Sequence, residues 1–212
     1  VLIGLLLGVR RPARTALYAR DGLAIVALAW IAVSAFGALP FVISGDIPFY
    51  VDAFFETVSG FTTTGASILT EVESLSRGGL FWRSFTHWVG GMGVLVFVMA
   101  ILPMSDGHGM HIMRAEVPGP TVGKLVSRMS DTAKILYGIY LVLTLVEIVL
   151  LLAGGMPLFD ACIHSFGSAG TGGFSCRNLS VGAYQNPYFD IVIGIFMLLF
   201  GVNFNLYYFL LI

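Results

Sequence analysis

The amino-acid sequence predicts an all-α membrane protein built from repeated units, each a helix, a re-entrant half-helix with its loop, and a second helix. Of its 212 residues, 57% are hydrophobic and 11% are charged, whereas a soluble domain carries about 25% charged residues. Two similar segments also recur at an offset of 108 residues, the separation of Asp52 from Asp160. Composition therefore predicts the membrane environment, and the internal repeat predicts the architecture.

Four apolar stretches are long enough to cross a hydrocarbon layer, which takes about 20 residues at a rise of about 1.5 Å each. They cover residues 22–43, 79–103, 135–153 and 191–212. The first and last are uncharged, whereas the second contains Arg83 and the third contains Glu147. We therefore expect four spanning helices and a location in the cell membrane.

Basic residues are concentrated in two segments of the chain. Eight of the 11 Lys and Arg residues lie there: Arg10, Arg11, Arg14, Arg20, Arg114, Lys124, Arg128 and Lys134. The positive-inside rule predicts that both segments are cytoplasmic. We divide the chain into the end of a preceding helix with a cytoplasmic loop (1–21), a first pore repeat (22–104), a cytoplasmic linker (105–134) and a second pore repeat (135–212). The net charge of −1 gives no indication of nucleic-acid binding.

The segments 49–67 and 157–175 each begin apolar and end rich in Gly, Thr and Ser. Their apolar parts would form helices of about 15 Å, half the thickness of a hydrocarbon core. Such a half-helix enters the membrane and returns as extended chain, provided that the backbone is buried in protein or lines a watery cavity. Identical residues align at Asp52/Asp160, Ala53/Ala161, Thr63/Thr171, Gly65/Gly173 and Ser67/Ser175.

The two loops have the composition of a cation filter made from backbone carbonyls, which replace the water shell of a potassium ion. Glycine permits backbone conformations in which consecutive carbonyls point the same way, and each half-helix would direct its partly negative C-terminus toward the ion. No cofactor is needed beyond potassium as the transported ion. The candidate ion-binding residues are Thr62, Thr63, Thr64, Gly65, Ala66, Gly170, Thr171, Gly172, Gly173 and Phe174.

Several motifs together resemble the Trk/Ktr/HKT superfamily of potassium transporters, and in particular the bacterial Trk membrane subunits. They are FFETVSGFTTTGAS at 54–67, FWR at 81–83, HWVGGMG at 87–93 and AGTGGFS at 169–175. The resemblance implies a potassium-channel-like filter of four loops in one polypeptide, a homodimer, and a cytoplasmic nucleotide-binding regulatory subunit. This sequence contains two loops, so either two further repeats follow it or two chains share a pore; we expect the first, a fragment whose two remaining repeats follow.

Three polar residues each have two interpretations. Glu56 is either a cation ligand at the pore mouth or a buried carboxylate hydrogen-bonded to nearby groups. Glu147, inside a span, should pair or face the protein interior because a lone charge there costs about 2.5–3.5 kcal/mol; it is either structurally paired or part of a proton relay, and we favour pairing. Arg83 is either that partner or an interfacial anchor.

Two other functions compete with a cation pore. A sodium-coupled secondary transporter also uses unwound helices, but its repeats are commonly inverted. An intramembrane serine hydrolase would use Ser168 with His87 or His164, but no third group that would orient the base is apparent.

Overall fold

The computed structural model describes residues 19–93, 129–204 and 206–207. Segment 1–21 and linker 105–134 of the predicted organisation lie mostly outside these residues. The described α-helices are α1 (Ala19–Gly37), α2 (Leu39–Ser44), α3 (Tyr50–Phe61), α4 (Arg77–Met92), α5 (Met129–Ala153), α6 (Leu158–Ala169) and α7 (Pro187–Gly201). Short 3-10 helices, Val72–Ser74 and Ser180–Tyr184, lie in the loops before α4 and α7. The regular structure of the described residues is entirely helical, as predicted.

The half-helices α3 and α6 begin and end at aligned residues of the two repeats. Each has 12 residues, which corresponds to a length of about 18 Å. Both are too short to cross a bilayer, and each leads directly into its Gly/Thr loop. The predicted re-entrant elements are therefore present, slightly longer than the apolar runs suggested.

Two described stretches are long and apolar enough to span a membrane, Leu23–Ser44 and Lys134–Ala153. The first includes α1 and α2, which are separated by a break at Ala38 just before Pro40. The predicted span 79–103 is helical as α4 up to Met92, and residues 94–103 lie outside the described part. The predicted span 191–212 begins earlier than expected, because α7 starts at Pro187; α7 ends at Gly201 with extended backbone at Val202, and residues 204, 206 and 207 are again helical.

Helix α4 belongs to the first repeat and packs against the half-helices of both repeats. The close approach of α4 to the two half-helices depends on two consecutive glycines. A side chain at Gly90 would overlap the backbone of Phe61, the last residue of α3, and one at Gly91 would lie 2.7 Å from the carbonyl oxygen of Ala169, the last residue of α6. The Gly90-Gly91 pair thus brings α4 against the C-termini of both half-helices, consistent with the use of small residues at membrane helix contacts.

The second repeat has an aromatic core. Tyr140 is fully buried and its ring contacts Trp88 and Phe200 at centroid separations of 5.5 and 5.3 Å. Its hydroxyl donates to the Trp88 carbonyl at 2.7 Å, while Trp88 Nε1 donates to Thr144 Oγ1 at 3.1 Å. These contacts fix α4 to α5 and hold the two repeats together.

On the predicted outer side, Asp46 ties the turn after α2 to the start of α4. Its carboxylate accepts hydrogen bonds from the Ser76 amide at 2.9 Å and the Ser76 hydroxyl at 2.7 Å. Ser76 is the N-cap of α4, and its hydroxyl accepts from the Gly79 amide. Burial alone would raise the pKa of Asp46, but the hydrogen bonds from Ser76 and Ser44 outweigh it and lower the pKa below its usual 3.8.

We predict that Asp46→Asn lowers the thermal stability of the protein at neutral pH, by about 1 kcal/mol for a partly exposed charge-assisted cap. Because the folded-state pKa lies below 3.8, the contribution is fully present above about pH 4 and is lost as the pH falls through the folded value. Melting curves in mild detergent should show a constant difference between unaltered protein and variant from pH 4 to 7 that shrinks at lower pH. A difference that grows on acidification would contradict this assignment.

Candidate functional site

The two Gly/Thr loops follow the same backbone path. Thr63 and Thr171 both have a φ of 55°, and Gly65 and Gly173 have φ values of 76° and 77°. A left-handed conformation costs a residue with a side chain about 1–2 kcal/mol, and for a β-branched threonine it is exceptional. Strain retained at the same place in both loops indicates a backbone shape that each loop has to keep.

Hydrogen bonds that hold this shape also recur at the 108-residue offset. Three amides of the first loop donate to the last turn of α3: Thr62 N to Val58 O, Thr63 N to Gly60 O, and Thr64 N to Ser59 O, at 2.9–3.0 Å. The corresponding bonds of the second loop join Gly170 N to Phe166 O, Thr171 N to Ser168 O, and Gly172 N to Gly167 O, at 2.8–3.3 Å. A fourth pair repeats too, since Leu69 N donates to Ser67 Oγ and Arg177 N donates to Ser175 Oγ.

The carbonyl groups of the loops are not used in this network. Among the described residues, no backbone amide donates to a carbonyl of residues 62–66 or 170–174. Backbone carbonyls in a protein normally have partners, so these two short runs are unusual in lacking backbone donors. The C-termini of α3 and α6 lead into these runs, and their partial negative charge favours a cation over an anion.

The loops lie against each other. A side chain at Gly65 would overlap the Gly172 carbonyl oxygen of the other repeat, and one at Gly172 would lie 2.8 Å from the Thr63 carbonyl oxygen. The sequence-predicted residues are thus gathered at one place, with the two runs side by side. Phe174 is the exception in orientation, because its side chain is buried behind the loop.

Arg83 lies behind both loops and contacts each of them. Its Nε donates to Glu56 Oε1 at 2.5 Å, and both side chains are buried, with exposures of 4% and 0%. Its Nη1 donates to the Ser175 carbonyl of the second loop at 3.1 Å, and its guanidinium carbon lies 3.6 Å from the centre of the Phe174 ring. One side chain of α4 therefore joins the two loops. Its partner is Glu56 and not Glu147, and because it is buried it is not an interfacial anchor either.

Glu56 supports the first loop from behind. Its carboxylate accepts from Ser67 Oγ at 2.8 and 3.1 Å and from the Ile68 amide at 3.2 Å, in addition to the bond from Arg83. Of its two interpretations, the structure supports the buried hydrogen-bonded carboxylate. Glu147 is fully buried and lies near the Ser168 hydroxyl; among the described residues, neither of its carboxylate oxygens has a well-aligned hydrogen-bond donor.

His87 fills the space between the loops on the same side as Arg83. Its ring is fully buried and packs edge-on against Phe174 with centroids 4.0 Å apart. A side chain on Gly172 would overlap His87 Nε2, and one on Gly170 would lie 2.7 Å from its Cδ2. The glycines of the second loop are therefore needed for contact with His87 as well as for backbone freedom.

On the predicted outer side, Asn178 clamps the loop preceding α4 to the second repeat. Its side-chain oxygen accepts from Val72 N at 2.7 Å, and its side-chain amide donates to Glu71 at 2.7 Å.

Beside Asn178, Asp160 accepts hydrogen bonds from Tyr184 at 2.6 Å and from Arg177 at 3.2 Å. The hydrogen bond with Tyr184 and the charge of Asp160 raise the pKa of Arg177. Burial, with the nearby Asp160 charge, raises the pKa of Cys176 to about 11, so its thiol stays protonated at neutral pH.

Ser168, the nucleophile considered for a hydrolase, makes its hydrogen bond within its own helix. Ser168 is buried and its hydroxyl donates to the His164 carbonyl one turn earlier in α6, at 2.9 Å. A serine inside a helix commonly donates its hydroxyl hydrogen to the backbone carbonyl one turn earlier. Within the described ranges, no cluster of three or more His, Cys, Asp or Glu residues is arranged to hold a metal ion.

Sequence reasoning found the loops but missed part of what supports them. It did not predict the left-handed Thr63 and Thr171, because threonine has no preference for that conformation. It also missed Arg83 as the link between loops, although a lone arginine in an apolar span signals a buried partner. The Glu56 partner lies 27 residues away, a separation that no local pattern reveals.

We predict that Arg83→Gln destabilises the protein by about 3–5 kcal/mol, because it leaves Glu56 buried without its countercharge. The matched control is Arg177→Gln, which removes an arginine with 42% side-chain exposure from Asp160 and should cost at most about 1 kcal/mol. Thermal melting of the full-length protein in mild detergent measures both. The double variant Glu56→Gln/Arg83→Gln should recover part of the loss, and equal destabilisation by the two arginine changes would contradict the assigned role of Arg83.

Comparison with known proteins adds independent information. Residues 2–212 match the TrkH family, described as cation transport proteins. The chain is 44% identical over 197 residues to the Trk system potassium uptake protein TrkH of Salmonella typhimurium, covering 92% of this chain and 41% of that protein. It is 40% identical over 191 residues to TrkG of Escherichia coli K12, covering 89% and 39%.

A solved structure is also similar. The crystal structure of the potassium transporter TrkH from Vibrio parahaemolyticus aligns with a TM-score of 0.74 and 37% identity, covering 94% of this chain and 40% of that one. The chain thus spans about two fifths of the length of the relatives that it matches. The match over nearly the whole chain shows that this membrane protein belongs to the TrkH family of cation transport proteins.

Proposed function

We propose that this chain supplies two pore loops of a potassium uptake pathway across the cell membrane. The observation that carries the proposal is the pair of loops with matching left-handed residues and carbonyls that no backbone amide uses. A potassium ion entering the pore exchanges its water shell for such oxygens. The ion-binding residues are the ten of segments 62–66 and 170–174, acting through their backbone.

Potassium is the proposed ion because the relatives are named potassium uptake proteins and the chain shares about 40% of its residues with them. The protein acts as a transporter and not as an enzyme, in agreement with the bond that occupies Ser168. A sodium-coupled transporter of an organic substrate is less well supported, because the two repeats run parallel and their polar backbone is confined to two narrow loops. Transport that follows the potassium gradient without sodium would distinguish the two.

The contact between the loops supports two further repeats in the complete pore. Gly65 of the first loop meets Gly172 of the second, and these residues are not aligned with each other, so the contact is of the head-to-tail kind that generates rings. Gly173, which aligns with Gly65, has no described atom within 4 Å of where its Cβ would be, and Thr64, which aligns with Gly172, is exposed. A third loop would fit at Gly173 and a fourth at Thr64.

We also infer the assembly in which this pore works. Two copies of the complete subunit form a homodimer, each with its own pore, and a cytoplasmic nucleotide-binding subunit regulates them. These partners follow from the resemblance in the motifs at 54–67 and 87–93. Co-purification of the full-length protein from a bacterial membrane, with mass measurement of the complex, tests both expectations.

We predict that Gly65→Ser reduces discrimination between potassium and sodium. The serine would carry about 1–2 kcal/mol of left-handed strain and its side chain would displace the Gly172 carbonyl. The test is uptake of both ions by cells that lack their own potassium uptake and express the full-length protein. Gly173→Ser should impair selectivity in the same way.

Gly45→Ser is the matched control for these variants. Gly45 has a φ of 80° and no atom within 4 Å of its Cβ position, but it lies in the turn after α2. A serine at position 45 would impose the same backbone strain away from the loops, so the ion preference should stay unchanged. If Gly65→Ser reaches the membrane at normal levels and retains its ion preference, the filter assignment is wrong.

A further inference from the structure

A cavity of about 340 Å³ opens on the predicted outer side of the protein, between α4 of the first repeat and α6 of the second. Charged side chains of both signs line it: Glu73 and Arg77 from the first repeat, Asp160 and Arg177 from the second. We propose that this cavity binds the headgroup of an outer-leaflet phospholipid that carries both a phosphate and an ammonium group, as in phosphatidylethanolamine. The cavity is separate from the pore loops, and its occupant goes beyond the transport function.

Two of the four charges largely neutralise each other. Asp160 is 7% exposed and accepts hydrogen bonds from Tyr184 at 2.6 Å and from Arg177 at 3.2 Å. Arg177 has a second, looser carboxylate neighbour in Glu73, at 3.9 Å. The Asp160–Arg177 pair therefore forms a wall of the cavity and leaves little net charge for a ligand.

The other two charges, Arg77 and Glu73, are less engaged with protein groups and can contact a ligand. Arg77 is exposed and, within the described part of the chain, forms neither an ion pair nor a side-chain hydrogen bond; its guanidinium lies 5.7 Å from the Phe159 ring centre. Glu73 has a 45% exposed side chain and accepts one hydrogen bond, from the Asn178 amide at 3.2 Å. One free cation and one underused anion in the same cavity match a zwitterion, because arginine binds phosphate well and a carboxylate accepts from an ammonium group.

An apolar path leads from the cavity toward the middle of the membrane. Arg77, Phe81 and Phe85 are spaced four residues apart on α4, so they lie along one face of the helix. Phe81 is 43% exposed, and the rings of Phe81 and Phe85 lie 6.0 and 6.1 Å from that of Phe166 on α6. A partly exposed aromatic seam directly beneath a charged cavity suits an acyl chain, and this argues for a lipid rather than a soluble zwitterion.

The position of the cavity gives the lipid a structural role. Its walls come from both repeats, so an occupant would bridge the start of α4 and the start of α6, which both lie at the predicted outer membrane surface. A bound lipid stabilises the state that binds it, by an amount that grows with the lipid concentration relative to its Kd. We therefore expect this headgroup to strengthen the contact between the repeats.

The test is lipid binding by the full-length protein, stripped of lipid in mild detergent and titrated with phosphatidylethanolamine or phosphatidylglycerol under native mass spectrometry. The unaltered protein should prefer phosphatidylethanolamine. Arg77→Gln should weaken binding of both lipids by about tenfold, as expected for loss of a charge-assisted bond. Glu73→Gln should abolish the preference for the ethanolamine headgroup while still binding phosphatidylglycerol.

Matched variants separate this site from general effects on the membrane protein. Lys134→Gln, at the predicted cytoplasmic end of α5, and Phe36→Ala, on an exposed face of α1, should leave the affinity unchanged, whereas Phe81→Ala should reduce it. Soluble phosphoethanolamine should not compete at concentrations that saturate the lipid site. Equal affinity in Arg77→Gln and unaltered protein, or full competition by soluble phosphoethanolamine, would overturn the proposal.

Discussion

The buried ion pair between Arg83 and Glu56 constrains the rest of the site. Charges removed from water cost several kcal/mol each unless they meet a partner and further hydrogen bonds. Glu56 meets this requirement through Arg83, Ser67 and the Ile68 amide. Arg83 meets it through Glu56, the Ser175 carbonyl and the Phe174 ring. Because these partners come from the loops of both repeats, neither loop can move far without leaving a buried charge unsatisfied.

Close packing of α4 is what brings Arg83 into reach of both loops. Gly90 and Gly91 let the helix pass the ends of α3 and α6, and a side chain on Gly60 would overlap the Thr86 hydroxyl of α4. Three glycines thus place one helix against two half-helices, and the arginine lies two turns earlier on the same helix. Left-handed strain at Thr63 and Thr171 is tolerable in this setting, since helix-end carbonyls hold each loop through three amides.

Much of this arrangement is predictable from the sequence, and the limits are physical. The apolar runs before the loops predict α3 and α6, because these runs are too short to span the membrane and too apolar to form a solvated turn. The end of α7 was harder to predict, since apolar residues continue past Gly201 and hydropathy alone does not mark a change in backbone. The Arg83–Glu56 pair was missed because tertiary packing decides which groups meet in the membrane. The pair can be predicted only once the position of α4 against α3 is known.

The two repeats share a backbone but not the side chains that support it. Glu56 of the first repeat aligns with His164 of the second, and His164 packs against Tyr184 with ring centres 5.5 Å apart. Helix α7, the counterpart of α4 in the second repeat, contains no arginine, and the second loop instead depends on Arg83 from the first repeat. The carbonyl geometry is therefore kept the same while its support differs, as expected if the ion interacts with the backbone and the side chains behind it serve only to hold that backbone in place.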